Sequence, residues 1–191
     1  MPAELTEAQR DALREFANVG AGHAAATLSR LLGGERLAFE PPEARTATAS
    51  ELAQLLGGEA VARVAAMQEV RGDVTGALWL VLGPPDAQRL AERLLRTPHP
   101  PERAVDGALV QAALEMGAFA LTAMGRLTGL GLEGSAPTLC RTAAGALACG
   151  WCAESSGLLL HAHLRAEHFT AQLLFLPHFE ALGTLLRSLR V

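Results

Sequence analysis

Small and apolar residues recur through the first stretch of the chain with the period of a helix. At roughly 100° per residue, Leu13, Phe16, Ala17, Gly20, Ala24, Leu28 and Leu31 share one stripe. Thr6-Glu7-Ala8-Gln9 just ahead is a capping-box pattern, with Thr6 at the N-cap and Gln9 at the third helical position. Gly33-Gly34 supplies a left-handed stop. The opposite stripe carries Asp11, Glu15, Asn18 and Gly22, with Val19, Ala21, Ala25 and Ala26 around it. Acids and an amide on a low-relief surface suit a partner that comes close.

Further along, residues 36–41 read as extended and 50–56 as a short helix closed by Gly57-Gly58. Strand-like runs follow at 60–70 and 74–82, joined through Arg71-Gly72-Asp73, then a helix at 86–96 opened by Pro84-Pro85. Thr97-Pro-His-Pro-Pro101 interrupts the chain near its midpoint as a rigid hinge. The order then repeats: a long helix over 102–127, an extended 132–137 and a short helix near 141–148. Strands at 157–165 and 169–176 and a terminal helix at 179–189 complete the second copy. Internal duplication is the economical reading, with pseudo-repeats of about 1–97 and 98–191 in a single domain. The predicted class is α+β: strands from both halves in one mostly antiparallel sheet, with long helices packed on it.

Composition narrows the function classes. Half of the 191 residues are hydrophobic, the formal net charge is −4, and no basic cluster marks a nucleic-acid groove. The chain opens without a basic segment leading into an apolar one, and the apolar runs near 77–82 and 158–160 are too short to span a bilayer. Three cysteines, an odd number, fit a reducing compartment, so the expectation is a cytoplasmic protein with no nucleic acid and no membrane among its partners. The chain has no lysine, isoleucine or tyrosine, and Asn18 is its only asparagine. Asn18 follows Asp11 and Glu15 at helical spacing, so all three share one face.

Asp11-x3-Glu15-x2-Asn18-x22-Pro41 resembles the signature of the CheC/CheX/FliY phosphatases, which dephosphorylate the chemotaxis response regulator CheY. Asn18-Val-Gly-Ala-Gly22, Ala24-Ala25 and Leu28-Ser29 match the family's helix, and the repeated plan matches over nearly the whole chain. The resemblance implies an internally duplicated CheC-like fold and a phosphorylated CheY-like receiver as partner. It implies that Asn18 orients the attacking water and that Glu15 pairs with the receiver's lysine. Asp11 lends a supporting polar contact and Gly22 leaves room for the receiver's loops. Catalysis of this kind needs no cofactor in this chain; Mg²⁺ belongs to the receiver. The family also associates with the deamidase CheD and with flagellar switch components, so the alternative is a non-catalytic scaffold. A homodimer is a further expectation.

The second copy departs from the signature. Gln111-x3-Glu115 aligns with Asp11-x3-Glu15, which puts Ala118 at the asparagine position and shortens the spacing to Pro137 by four residues, about one helical turn. A register set by Pro137 instead puts Gln111 and Leu114 at the glutamate and asparagine positions. Neither restores an asparagine, so Glu115 and Ala118 mark a degenerate second site. Leu114, Phe119, Leu121 and Met124 on the same helix predict that its face is covered.

Two other patterns compete. Cys149-Gly-Trp-Cys152 with His161-Ala-His163 has the makings of a zinc site, but no second cysteine pair at finger spacing accompanies it, and small cysteines in strands are common. The expectation is therefore no metal. Gly20-x-Gly22 mimics part of a dinucleotide fingerprint, yet no strand precedes it and the third glycine is missing.

Overall fold

The computed structural model describes residues 5–151 and 156–191. Thr6 caps the first helix, α1 (Glu7–Leu31), its hydroxyl accepting from the Gln9 N–H while the Gln9 side chain accepts from the Thr6 N–H. Gly33 and Gly34 follow it at φ of 77° and 92°, the left-handed stop expected of them. Then come β1 (Ala38–Phe39), β2 (Glu43–Ala47), α2 (Ala49–Leu55), β3 (Ala62–Gly72), β4 (Gly76–Leu82) and α3 (Pro84–Leu95). The second half runs α4 (Glu102–Thr128), β5 (Leu132–Gly134), β6 (Thr138–Ala143), α5 (Ala144–Trp151), β7 (Gly157–Arg165) and β8 (Thr170–Pro177). A 3₁₀ turn and α6 (Leu182–Ser188) end it.

All eight strands form one sheet, ordered β1-β7-β8-β4-β3-β5, with β2 also on β7 and β6 also on β3. Every pairing is antiparallel. The sheet is built across the halves: β4 pairs β8 at its centre, the second half's β7 carries the first half's β1 and β2, and β3 carries β5 and β6. One face packs on α1, α4, α3 and α6 through the larger core; the other packs on α2 and α5 through a smaller one centred on Leu52, Trp79, Leu159 and Leu174.

Two strands escaped the sequence reading. β2 (Glu-Ala-Arg-Thr-Ala) and β6 (Thr-Leu-Cys-Arg-Thr-Ala) carry few large apolar residues, because each lies on the flank of the sheet and only part of it faces a core. The short helix placed near 141–148 is therefore a strand followed by α5. The longest helix brings a different surprise. By length and composition, α4 is apolar enough to cross a membrane. In this fold it is a core helix: Leu109, Ala112, Met116, Ala120 and Leu121 are buried against α1 and the sheet.

Candidate functional site

The capping box fixes the start of α1, and the buried stripe fixes its rotation. Leu13 and Phe16 are fully buried, and the Phe16 ring lies 5.8 Å from that of Phe175 on β8. Gly20 lets α4 approach, since a Cβ there would stand 2.5 Å from Met124 Sδ. With that face committed, Asp11, Glu15 and Asn18 are all exposed along the outer side. Ala21 and Ala25, assigned to the margin of that outer face, are instead buried, so the exposed stripe is narrower than the sequence suggested.

The polar groups on the stripe differ in what holds them. Asp11 accepts from Arg14 Nη1 at 3.0 Å, an exposed i,i+3 pair that contributes at most about 1 kcal/mol. Glu15 and Asn18 have no side-chain hydrogen bond or ion pair to any of the described residues. Gly22 is half-buried beside Phe39, where a Cβ would make only ordinary contact at 3.8 Å. Packing inside the chain therefore does not require glycine there. The free amide of Asn18 offers a carbonyl acceptor and an N–H donor from a rigid helix, which suits it to orienting a water. It has no group that would take a proton.

The second long helix shows which residues correspond. The nine buried positions of α1 — Leu13, Phe16, Ala17, Gly20, Ala21, Ala24, Ala25, Thr27 and Leu28 — fall on buried positions of α4 when shifted by 96, Leu13 onto Leu109 and Leu28 onto Met124. The alignment that paired Glu15 with Glu115 and Asn18 with Ala118 leaves Leu127 and Thr128 opposite buried residues, although neither is buried. The register set by Pro137 is therefore the structural one. Glu15 corresponds to Gln111, Asn18 to Leu114, Gly22 to Ala118 and His23 to Phe119. No turn of helix is lost, since α4 has 27 residues against 25 in α1.

Glu115 has a different place from the one expected. Gln111 donates to it at 3.0 Å, and its other oxygen lies 3.8 Å from Arg30 of α1. The same Arg30 guanidinium sits 4.9 Å from the centre of the Phe119 ring. Within this chain the face expected to be covered is covered only in part. Leu121 and Met124 are buried, but Leu114 and Phe119 remain 37% and 44% exposed. Between the helices, Val19 and His23 of α1 face Ala118, Phe119, Thr122, Ala123 and Arg126 of α4 across a groove of about 560 Å³. Sequence reasoning missed this groove, because the apolar residues of α4 were all assigned to the core.

The cysteine–histidine pattern does not assemble among the described residues. Cys149 is exposed at the end of α5, and Cys152 lies outside the described residues. His161 is buried on β7, and burial, followed by the charge of neighbouring His163, lowers its pKa from 6.5 to about 4. The two imidazoles meet edge-on at 4.4 Å. Among the described residues no group of three or more His, Cys, Asp or Glu side chains is placed to hold a metal.

No family model matches the sequence. The CheY-P phosphatase CheC of Bacillus subtilis (strain 168) is 31% identical over 94 residues, 49% of this chain and 44% of that protein. The fold of Thermotoga maritima FliY superimposes with a TM-score of 0.78 at 17% identity, covering 97% of this chain and 98% of that one. The chain has the fold of FliY, and over about half its length its sequence is similar to CheC. A further member of the fold is CheX of Borrelia burgdorferi, in a complex with CheY, BeF3 and Mg²⁺. It superimposes with a TM-score of 0.63 at 11% identity, covering 85% of this chain and 97% of that one. The sequence match spans less than half the length of the curated CheC relative.

Proposed function

We propose that this protein accelerates hydrolysis of the phosphoaspartate on a CheY-like receiver domain. The observation that carries the reading is the pair Glu15 and Asn18, exposed on one face of a rigid helix and unpaired among the described residues. Similarity to a CheY-P phosphatase and to a protein crystallised with CheY supports the partner class.

The chemistry asks little of the enzyme beyond geometry. Water attacks phosphorus, the bond from phosphorus to the aspartyl oxygen breaks, and the products are the free carboxylate and dihydrogen phosphate, which keeps both of the water's protons. Asn18 holds the water in line, accepting from it through the side-chain carbonyl. Glu15 docks a receiver lysine by charge, Asp11 supports that end of the contact, and Gly22 keeps the surface low. Mg²⁺ is carried by the receiver, and the expected setting is the cytoplasm, where such receivers work. Receivers phosphorylated with acetyl phosphate and mixed with the protein should lose phosphate faster than alone. A protein that binds an activated receiver, or a CheD-like deamidase, without speeding any decay is a scaffold, and the enzymatic reading is then wrong.

A further inference from the structure

We propose that the groove between α1 and α4 is part of the same receiver-docking surface, with Phe119 as an anchor for an apolar side chain of the phosphorylated receiver. The inference rests on the proposed function and extends it to residues outside the signature. Its first ground is size. A specific interface covers about 800 Å² on each partner, a patch roughly 30 Å across, whereas packed helices lie about 8–10 Å apart. A receiver centred on Asn18 therefore cannot avoid the groove, whose near wall is Val19, the residue next to Asn18, and His23.

The second ground is what the duplication has done to the far wall. Where α1 presents Glu15, Asn18 and His23, α4 presents Gln111, Leu114 and Phe119, so charge has been removed and apolar surface added. Leu114, 37% exposed, and Phe119, 44% exposed and lining the groove, put apolar surface at the positions where α1 has Asn18 and His23. Arg30, over the ring of Phe119 and near Glu115, holds that ring in place from α1. The surface is thus continuous across the two helices: a carboxylate and an amide on one side, an aromatic ledge flanked by Arg30 and Arg126 on the other. The receiver that fits it carries a cation opposite Glu15 and an apolar side chain opposite Phe119.

The test measures binding of a beryllofluoride-activated receiver and phosphate decay under increasing protein concentration. Phe119→Ala should weaken binding about tenfold, the loss appearing in KM, and Phe119→Leu should restore most of it. Phe179→Ser, which removes a still more exposed ring from the far end of the chain, should leave binding within twofold of the starting protein. Sedimentation of the same variants addresses the rival occupant, a second copy of this chain. Unchanged receiver affinity in Phe119→Ala, or a dimer lost in its place, overturns the groove proposal while leaving the phosphatase reading intact. Failure of the unmutated protein to speed decay of any receiver overturns the proposed function, and the groove proposal with it.

Discussion

The outer faces of α1 and α4 are built on the same frame and present opposite chemistry. All nine buried positions of α1 fall on buried positions of α4, yet the exposed positions carry Asp11, Glu15, Asn18 and His23 on one helix and Gly107, Gln111, Leu114 and Phe119 on the other. Packing is thus under constraint in both halves, while the water-facing side is free to take or lose a function. Beneath the helices the halves have also diverged in compensating pairs. Gly117 of α4 sits on Gln68 of β3, whose amide donates to the Ala113 carbonyl. At the matching points of the other half, α1 has Ala21 and, with the central pair Trp79–Leu174 as the centre, β7 has Ala162 for Gln68 and His161 for Met67.

The largest effect expected from this divergence lies on the other face of the sheet, where the strand counterpart of Met67 is His161. The folded-state pKa of His161, near 4, is below its ordinary 6.5, so between those values the unfolded chain binds more protons. Stability is therefore full above about pH 6.5 and falls as the pH drops toward 4, by about 3 kcal/mol in all. Denaturation at pH 7 and pH 4.5 should show this loss in the natural chain and a clearly smaller one in His161→Met. Equal losses would contradict the assignment.

Next in size is the helix–sheet pair. Gly117→Ala places a methyl against the Gln68 amide and should cost about 1–3 kcal/mol in denaturant unfolding. Adding Gln68→Ala, which recreates the alanine pair of the first half, should recover most of that cost. If the double variant is no more stable than Gly117→Ala, the two sites are not compensating.

At the outer faces the expected effects are on function. Glu15→Lys should weaken binding of an activated receiver about tenfold by setting like charges together. Glu115→Ala, which removes an exposed hydrogen bond from Gln111 and a long contact to Arg30, should cost under about 1 kcal/mol of stability and leave phosphate release unchanged. A titration in which the two glutamates matter equally would abolish the distinction between the helices.

Much of this was legible in the sequence. The capping box, the double glycine and the apolar stripe give α1 its start, end and rotation, because each is a local signal that tertiary packing reinforces. The repeat order and the antiparallel class follow from the spacing of the same signals. Legibility failed where a residue's role depends on a neighbour distant in sequence. β2 and β6 are strands because β7 and β3 offer them hydrogen bonds, not because their residues insist on it. Leu114 and Phe119 look like core residues on a helical wheel, but within the described residues they are 37% and 44% exposed on the outer side of α4. The α1–α4 register needed the burial pattern of both helices, since Glu115 aligns attractively in sequence and only the nine shared buried positions show that it is not the counterpart of Glu15.

Asn18 is where the comparison bears most directly on function, because leucine stands at its position on α4. Phosphate decay from an excess of phosphorylated receiver should be followed with the natural protein and with Asn18→Ala, alongside binding of the beryllofluoride-activated receiver. The expected result is acceleration lowered by about 100-fold, the scale set by losing the orientation of a reactant, with affinity changed by less than about threefold. Decay that stays fast in Asn18→Ala would contradict the account.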